Sequence, residues 1–248
     1  MAAGTAALRR RADRSVRRRE AAELAGSVTL GVWAAFGVLA AVAVGGGGAP
    51  LELDRDLLAW SLGHRPATAL ALARAVTATG TGVLPYVLVL VAALLTGRTS
   101  RQRLGAALFG LVCLGSGQAL RYGVMELARR PRPPYDDWAT HASGWAFPSG
   151  HSTTAALTAG LLLVAVSLRA PRGAAVLRLL IGCWGAAVGL SRVYLGVHWF
   201  TDVAGGWLFA AGWLGVCLWA AARWLPDLFL AGHEPRPSAE ESSCGPRS

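Results

Sequence analysis

The sequence predicts an all-α, polytopic membrane protein with six transmembrane helices, and three observations lead there. Of its 248 residues 54% are hydrophobic and only 15% charged, with a mean hydropathy of +0.43. Soluble domains carry about a quarter charged residues, so this balance belongs to the membrane class. The apolar residues gather into six runs whose lengths suit a bilayer with a hydrocarbon core of about 30 Å. Finally, the net charge of +10 is carried by arginine alone, with no lysine, and falls in short segments between the runs. A basic balance also suits nucleic-acid binding, but charge confined to the joints fits membrane topology, and no nucleic-acid partner is expected. Abundant Ala, Gly and Arg without Lys or Asn points to a GC-rich, bacterial genome.

The elements follow in chain order. Residues 1–26 hold Arg9, Arg10, Arg11, Arg14, Arg17, Arg18 and Arg19, and are expected to form a basic cytoplasmic arm. The run over 27–48 is longer than the signal-peptide core of about 7–15 residues, so it reads as a retained anchor. Further spans are predicted at 80–97, 103–126, 151–168, 175–195 and 203–224. Residues 51–79 mix Glu52, Asp54, Asp56, His64 and Arg74 with apolar residues. That mixture predicts helices lying along the membrane surface, with a re-entrant segment as the alternative. The tail 225–248, rich in Pro, Ser and Glu, reads as disordered and cytoplasmic. The chain thus divides into an arm (1–26), a membrane domain (27–224) and a tail (225–248). Cys113, Cys183 and Cys217 sit in apolar runs and Cys244 in the tail, with neither a close pair nor a metal-type spacing.

Arginine placement sets the orientation. With the arm in the cytoplasm, six spans also put Arg98, Arg101, Arg103, Arg169, Arg172, Arg178 and Arg223 on that side, as the positive-inside rule asks. Arg55, Arg65, Arg74, Arg129, Arg130, Arg132 and Arg192 fall opposite. Four of these exceptions lie in or beside the polar clusters described next, so the functional surface is expected on the non-cytoplasmic side of a plasma membrane.

Three clusters end or open spans on that side: Arg129-Arg130-Pro131-Arg132-Pro133, then Phe147-Pro148-Ser149-Gly150-His151-Ser152, then Ser191-Arg192 followed by His198 and Asp202. Phosphoryl transfer needs positive charge and donors around the equatorial oxygens, an in-line nucleophile, and a proton for the leaving oxygen. Arg132 and Arg192 offer planar, permanently charged forks. Ser149, Gly150 and His151 lie where a helix begins, so its unpaired amides favour an anion, and Gly150 permits close approach of the backbone. His198 and Asp202 are four apart, which on a helix puts them on one face and lets the carboxylate hold one imidazole nitrogen. The other nitrogen is then free to attack phosphorus. His151 has no partner in its cluster and suits proton transfer. Each cluster alone reads as an interfacial anchor, a capped helix start or a surface pair; together they converge on one chemistry.

At these residues the chain resembles the type-2 phosphatidic acid phosphatase superfamily. The resemblance rests on Arg132-Pro133, Pro148-Ser149-Gly150-His151, and Ser191-Arg192 with His198 and Asp202 at the right spacing, and covers about residues 27–224. It implies a lipid phosphate or diphosphate phosphatase that needs no cofactor or metal. In it His198 is the nucleophile, Asp202 its orienter, His151 the acid and base, and Arg132, Ser149, Gly150 and Arg192 the phosphate ligands. Implied substrates are undecaprenyl diphosphate, phosphatidic acid and phosphatidylglycerol phosphate, with a polyprenyl diphosphate favoured. The same phosphohistidine also suits transfer to an alcohol. A catalytically silent lipid-binding scaffold is the reading from another class. Membrane lipids are the only other expected partners, and oligomeric state is not legible. One position departs: the family's lysine, seven residues before the Arg of Arg-Pro, falls on Met125. Arg121, one helical turn earlier, is a candidate replacement, as are Arg129 and Arg130. Glu126 is a candidate ion-pair partner, His141 a loop residue, and Tyr135, Asp136, Asp137 and Trp138 candidate lid residues.

Overall fold

The computed structural model describes residues 23, 25–170 and 173–224; the arm, beyond its last residues, and the tail lie outside the described residues. Every regular element described is helical. The helices are α1 (Ala25–Val44), α2 (Glu52–Gly63), α3 (Ala67–Ala78), α4 (Leu84–Thr96), α5 (Ser100–Ala128), α6 (Gly150–Arg169), α7 (Ala175–Tyr194) and α8 (Phe200–Trp224). Five of them, α1 and α5 to α8, are long and apolar enough to cross a bilayer. The span predicted at 80–97 is instead a 13-residue helix, α4, about 20 Å long at the α-helical rise. Its late start has a local cause. Gly82 has φ +71, and a Cβ on Gly80 would stand 2.2 Å from Val188 Cγ1, so this stretch forms a tight turn against α7.

Helix α6 is the hub, packing against α4, α5, α7 and α8. Its buried side includes Ser152, Thr153, Thr154, Leu157, Thr158 and Leu161. One apolar cluster joins Val89, Cys113, Leu114, Leu157, Leu161 and Ala210 between α4, α5, α6 and α8. A second stacks Phe36 on Phe147, with Trp33 and Phe209 edge-on. This aromatic group pins the Phe147–Gly150 turn between α1 and α8. Gly205 makes that docking possible, because a Cβ there would lie 2.3 Å from Phe147 Cε2.

Residues 51–79 form two 12-residue helices packed over the end of α7. Arg65 donates to the Asp137 carbonyl at 2.7 Å and Arg74 to the Ala139 carbonyl at 2.9 Å. These bonds tie α2 and α3 to the loop between α5 and α6. The end of α5, the start of α6 and the turn from α7 into α8 therefore meet beneath one cap. All three polar clusters lie there.

Candidate active site

The α7–α8 turn sets the position of His198. Helix α7 stops at Tyr194, and the chain reverses through Gly196, at φ +72 a conformation that favours glycine. Helix α8 begins at Phe200, so His198 precedes it. His198 and Asp202 therefore do not share the helical face that their spacing predicted. Asp202 lies in the first turn of α8, and its Oδ2 folds back to accept the Trp199 amide at 2.9 Å, as in one half of a capping box. The same oxygen comes to 3.4 Å from His198 Nδ1, and the Ala146 backbone carbonyl is a further polar neighbour of the buried ring.

The other ring nitrogen defines the tautomer. His198 Nε2 lies 2.9 Å from Arg132 Nη1. A guanidinium can only donate, so Nε2 accepts and the neutral ring carries its proton on Nδ1, facing Asp202. Burial, then the charges of Arg132 and Arg192, hold His198 well below the ordinary imidazole pKa. The ring is thus neutral at neutral pH, with its lone pair on Nε2.

Nε2 faces a cavity of about 740 Å³, lined by Thr81, Tyr86, Gln118, Arg121, Met125, Arg132, His141, Gly150, His151, Arg192 and His198, among others. Arg132 is fixed by the loop: it donates to the carbonyls of Gly144 (2.8 Å), Ser143 (2.7 Å), Trp145 (3.1 Å) and Val197 (2.7 Å). Burial lowers its pKa to about 10, so it stays cationic at neutral pH. Arg192 is 2% exposed; it donates to Thr77 Oγ1 at 3.0 Å and its Nε has no partner. Arg121 rises along α5, with Nη1 3.3 Å from Met125 Sδ and its guanidinium against Gly150. Among the described residues none of these three arginines has a carboxylate within ion-pair distance. His151, in the first turn of α6, places Nε2 3.4 Å from Thr81 Oγ1.

The remaining candidates stand elsewhere. Ser149 is fully buried, its amide donating to the Asp202 carbonyl (3.0 Å) and its Oγ accepting from Ser152 (2.9 Å), so Gly150 rather than Ser149 reaches the cavity wall. Arg129 is exposed; it ends α5 in the left-handed conformation (φ 45) and donates to the Glu126 carbonyl. Arg130 is fully buried between Asp54 (2.8 Å) and Asp202 (2.6 Å). Neither arginine faces the cavity, which corrects their place as candidates for the missing lysine. Of the residues expected as a lid, Trp138 donates to the Pro133 carbonyl and Asp137 accepts from Arg65. Sequence reasoning missed Thr77, Thr81, Thr201 and Asp54. Only the hydroxyl-rich run Thr77-Ala78-Thr79-Gly80-Thr81 carried a signal, and nothing marked Asp54 as the partner of an arginine 76 positions away.

This fold and site define an all-helical membrane protein with a polar, arginine-lined cavity at the joined ends of its helices. The chain matches the PAP2 superfamily over residues 106–226. It is 30% identical over 128 residues to phosphatidylglycerophosphatase B of Bacillus subtilis (strain 168), covering 50% of this chain and 63% of that protein. To phosphatidylglycerophosphatase B of Escherichia coli (strain K12) it is 35% identical over 98 residues, 40% of this chain and 37% of that protein. The chain therefore aligns with less than two thirds of either relative. The crystal structure of a transmembrane PAP2 type phosphatidylglycerolphosphate phosphatase from Bacillus subtilis shares the fold, with a TM-score of 0.65 at 24% identity, over 80% of this chain and 96% of that one.

Proposed function

We propose that this protein is a lipid phosphate phosphatase that works through a phosphohistidine on His198, without a metal. The carrying observation is a cavity that gathers three cations, with no carboxylate partner among the described residues, around the lone pair of a neutral, buried histidine. Unpaired buried charge is costly, and a phosphate group is the ligand that relieves it with matching geometry. Its oxygens would take the Arg132 donor that now points at Nε2, freeing that nitrogen for attack.

The reaction then balances as follows. Nε2 forms a bond to phosphorus while the bond from phosphorus to the lipid oxygen breaks; His151, which takes up a proton when the negatively charged phosphate enters beside it, gives that proton to the leaving oxygen. Neutral His151 next takes a proton from water, whose oxygen attacks phosphorus. The N–P bond breaks and phosphate leaves. The cation that forms on the His198 ring is stabilised by Asp202 at Nδ1. Arg121 takes the role of the lysine absent at position 125, reaching the Gly150 turn from one helical turn earlier in α5. The guanidinium groups supply the charge stabilisation that a metal ion supplies elsewhere. Phosphatidylglycerol phosphate is the first substrate to offer, given the relatives' names; phosphatidic acid and undecaprenyl diphosphate follow. The arginine distribution supports a site on the outer side of a bacterial plasma membrane.

The test is phosphate release by detergent-purified protein, in chelator, from a panel of these lipids. Release that is lost in His198→Ala, with a phosphoenzyme trapped on wild type alone, supports the proposal. No release from any lipid, or equal release by the variant, overturns it.

A further inference from the structure

The network behind His198 reaches a residue outside every motif and outside the PAP2-matched segment. Asp54, in the first turn of α2, is fully buried. Its Oδ2 accepts from Arg130 Nη2 at 2.8 Å and from the Thr201 hydroxyl at 2.7 Å, and its Oδ1 accepts from the Thr201 amide at 2.9 Å. Arg130 Nη1 in turn donates to both Thr201 Oγ1 and Asp202 Oδ1, each at 2.6 Å. One arginine is therefore shared between two carboxylates, while the remaining oxygen of Asp202 meets the Trp199 amide and His198 Nδ1.

We propose that Asp54 is a positioning residue for the reaction at His198, an inference that rests on the phosphohistidine reading above. Charge and geometry both carry it. Arg130 divides its donors between two carboxylates, so it engages only one oxygen of Asp202 and leaves the other beside the imidazole. An oxygen held there is what a ring made cationic by phosphorylation needs. Without Asp54 the guanidinium is released to pair with Asp202 alone. The carboxylate is then neutralised, and its second oxygen is free to turn towards Arg130 and away from Nδ1. Asp54 also grips the first turn of α8 through Thr201, next in sequence to Asp202, so it fixes where that carboxylate stands. No atom of Asp54 reaches the cavity. Its removal should therefore act on the chemical step and spare substrate binding.

The experiment compares full-length wild type, Asp54→Asn, Thr201→Val and His198→Gln in detergent. It measures kcat and KM for phosphatidylglycerol phosphate and the side-chain ¹⁵N shifts of His198, assigned by their loss in His198→Gln. Asp54→Asn is expected to lower kcat about 10- to 100-fold, by analogy with the partners that orient metal-ligating side chains from behind. KM should change less than about threefold, and the ¹⁵N shifts should show loss of the single Nδ1–H tautomer. Thr201→Val keeps the Asp54–Arg130 pair but removes the hydroxyl between them, and should lower kcat in the same sense by less. It also serves if Asp54→Asn fails to fold. An active wild type with unchanged kcat and tautomer in whichever of these variants folds overturns the positioning role alone. A loss confined to KM overturns it as well. A wild type that releases no phosphate overturns the phosphatase reading, and the role of Asp54 with it.

Discussion

Replacing Arg130 by methionine tests whether its charge is structural. The side chain is fully buried between Asp54 and Asp202, which are themselves fully buried. Methionine fills part of the volume but leaves two carboxylates without their common cation. Breaking a buried pair by removing one partner costs about 3–5 kcal/mol. For a domain of this size each kcal/mol moves Tm by roughly 2–4 °C, so the variant should unfold roughly 6–20 °C below wild type. Arg129→Met is the internal control. Arg129 is exposed, and its Nε bonds only the Glu126 carbonyl one turn back, so a change of about 0.5 kcal/mol or less is expected. The sign of the electrostatics gives a further check. Adding Asp54→Asn and Asp202→Asn to Arg130→Met removes the stranded charges and should restore a large part of the lost stability. The assay is thermal unfolding in detergent, followed by intrinsic tryptophan fluorescence at neutral pH. Equal Tm shifts for Arg129→Met and Arg130→Met would refute the assignment, and so would a triple variant less stable than Arg130→Met.

Three other outcomes follow from the same geometry. His198 is held neutral in the fold, so below its ordinary pKa of about 6.5 the unfolded chain binds a proton that the folded chain does not. The stability it contributes is therefore present above that pH and lost as pH falls; Tm should drop more between pH 8 and pH 5 for wild type than for His198→Gln, and equal slopes would contradict this. Arg121→Ala should lower kcat/KM for a lipid phosphate at least tenfold, about 1.4 kcal/mol, and adding Met125→Lys should recover part of it. Unchanged phosphate release by Arg121→Ala would show that this arginine is no substitute for the lysine. Gly205→Ala should destabilise the fold by about 1–3 kcal/mol, because its Cβ would overlap Phe147 at 2.3 Å and the ring is packed on all sides. The displaced Phe147 should also disturb the Gly150–His151 wall, so an alanine variant with both wild-type Tm and wild-type activity counts against the packing argument.

The helices were legible because a bilayer demands long apolar runs, and a run is visible without knowing its neighbours. The exception is α4. Its apolar run begins near residue 80, but Gly80 must approach Val188 and Gly82 takes a positive φ, and neither requirement shows in hydropathy. The four-residue spacing of His198 and Asp202 was read as a helical face, yet α8 starts only at Phe200. Their approach comes from a cap in which Asp202 reaches back to Trp199. A spacing of four fits both arrangements, and only the helix boundary separates them. Ser149 sits in the right motif but turns its polar atoms to α8 and Ser152. A string of letters places a residue near a site without saying which way it points.

The arginines carry the deepest lesson, because charge alone makes them equal and burial divides them. Arg129, Arg130 and Arg132 lie within four positions. One is exposed and caps a helix, one is locked between two acids, and one stands in the cavity beside His198. The acid that decides Arg130's role comes from α2, far away in the chain, and no local pattern could supply it. Once Asp54 and Asp202 engage Arg130, no carboxylate remains in ion-pair reach of Arg121, Arg132 or Arg192 among the described residues. The same pairing that stabilises the interior therefore leaves the cavity's cations without a counter-charge among the described residues until an anion enters. A fold that placed a further carboxylate against Arg132 or Arg192 would gain stability and lose the site's demand for an anion.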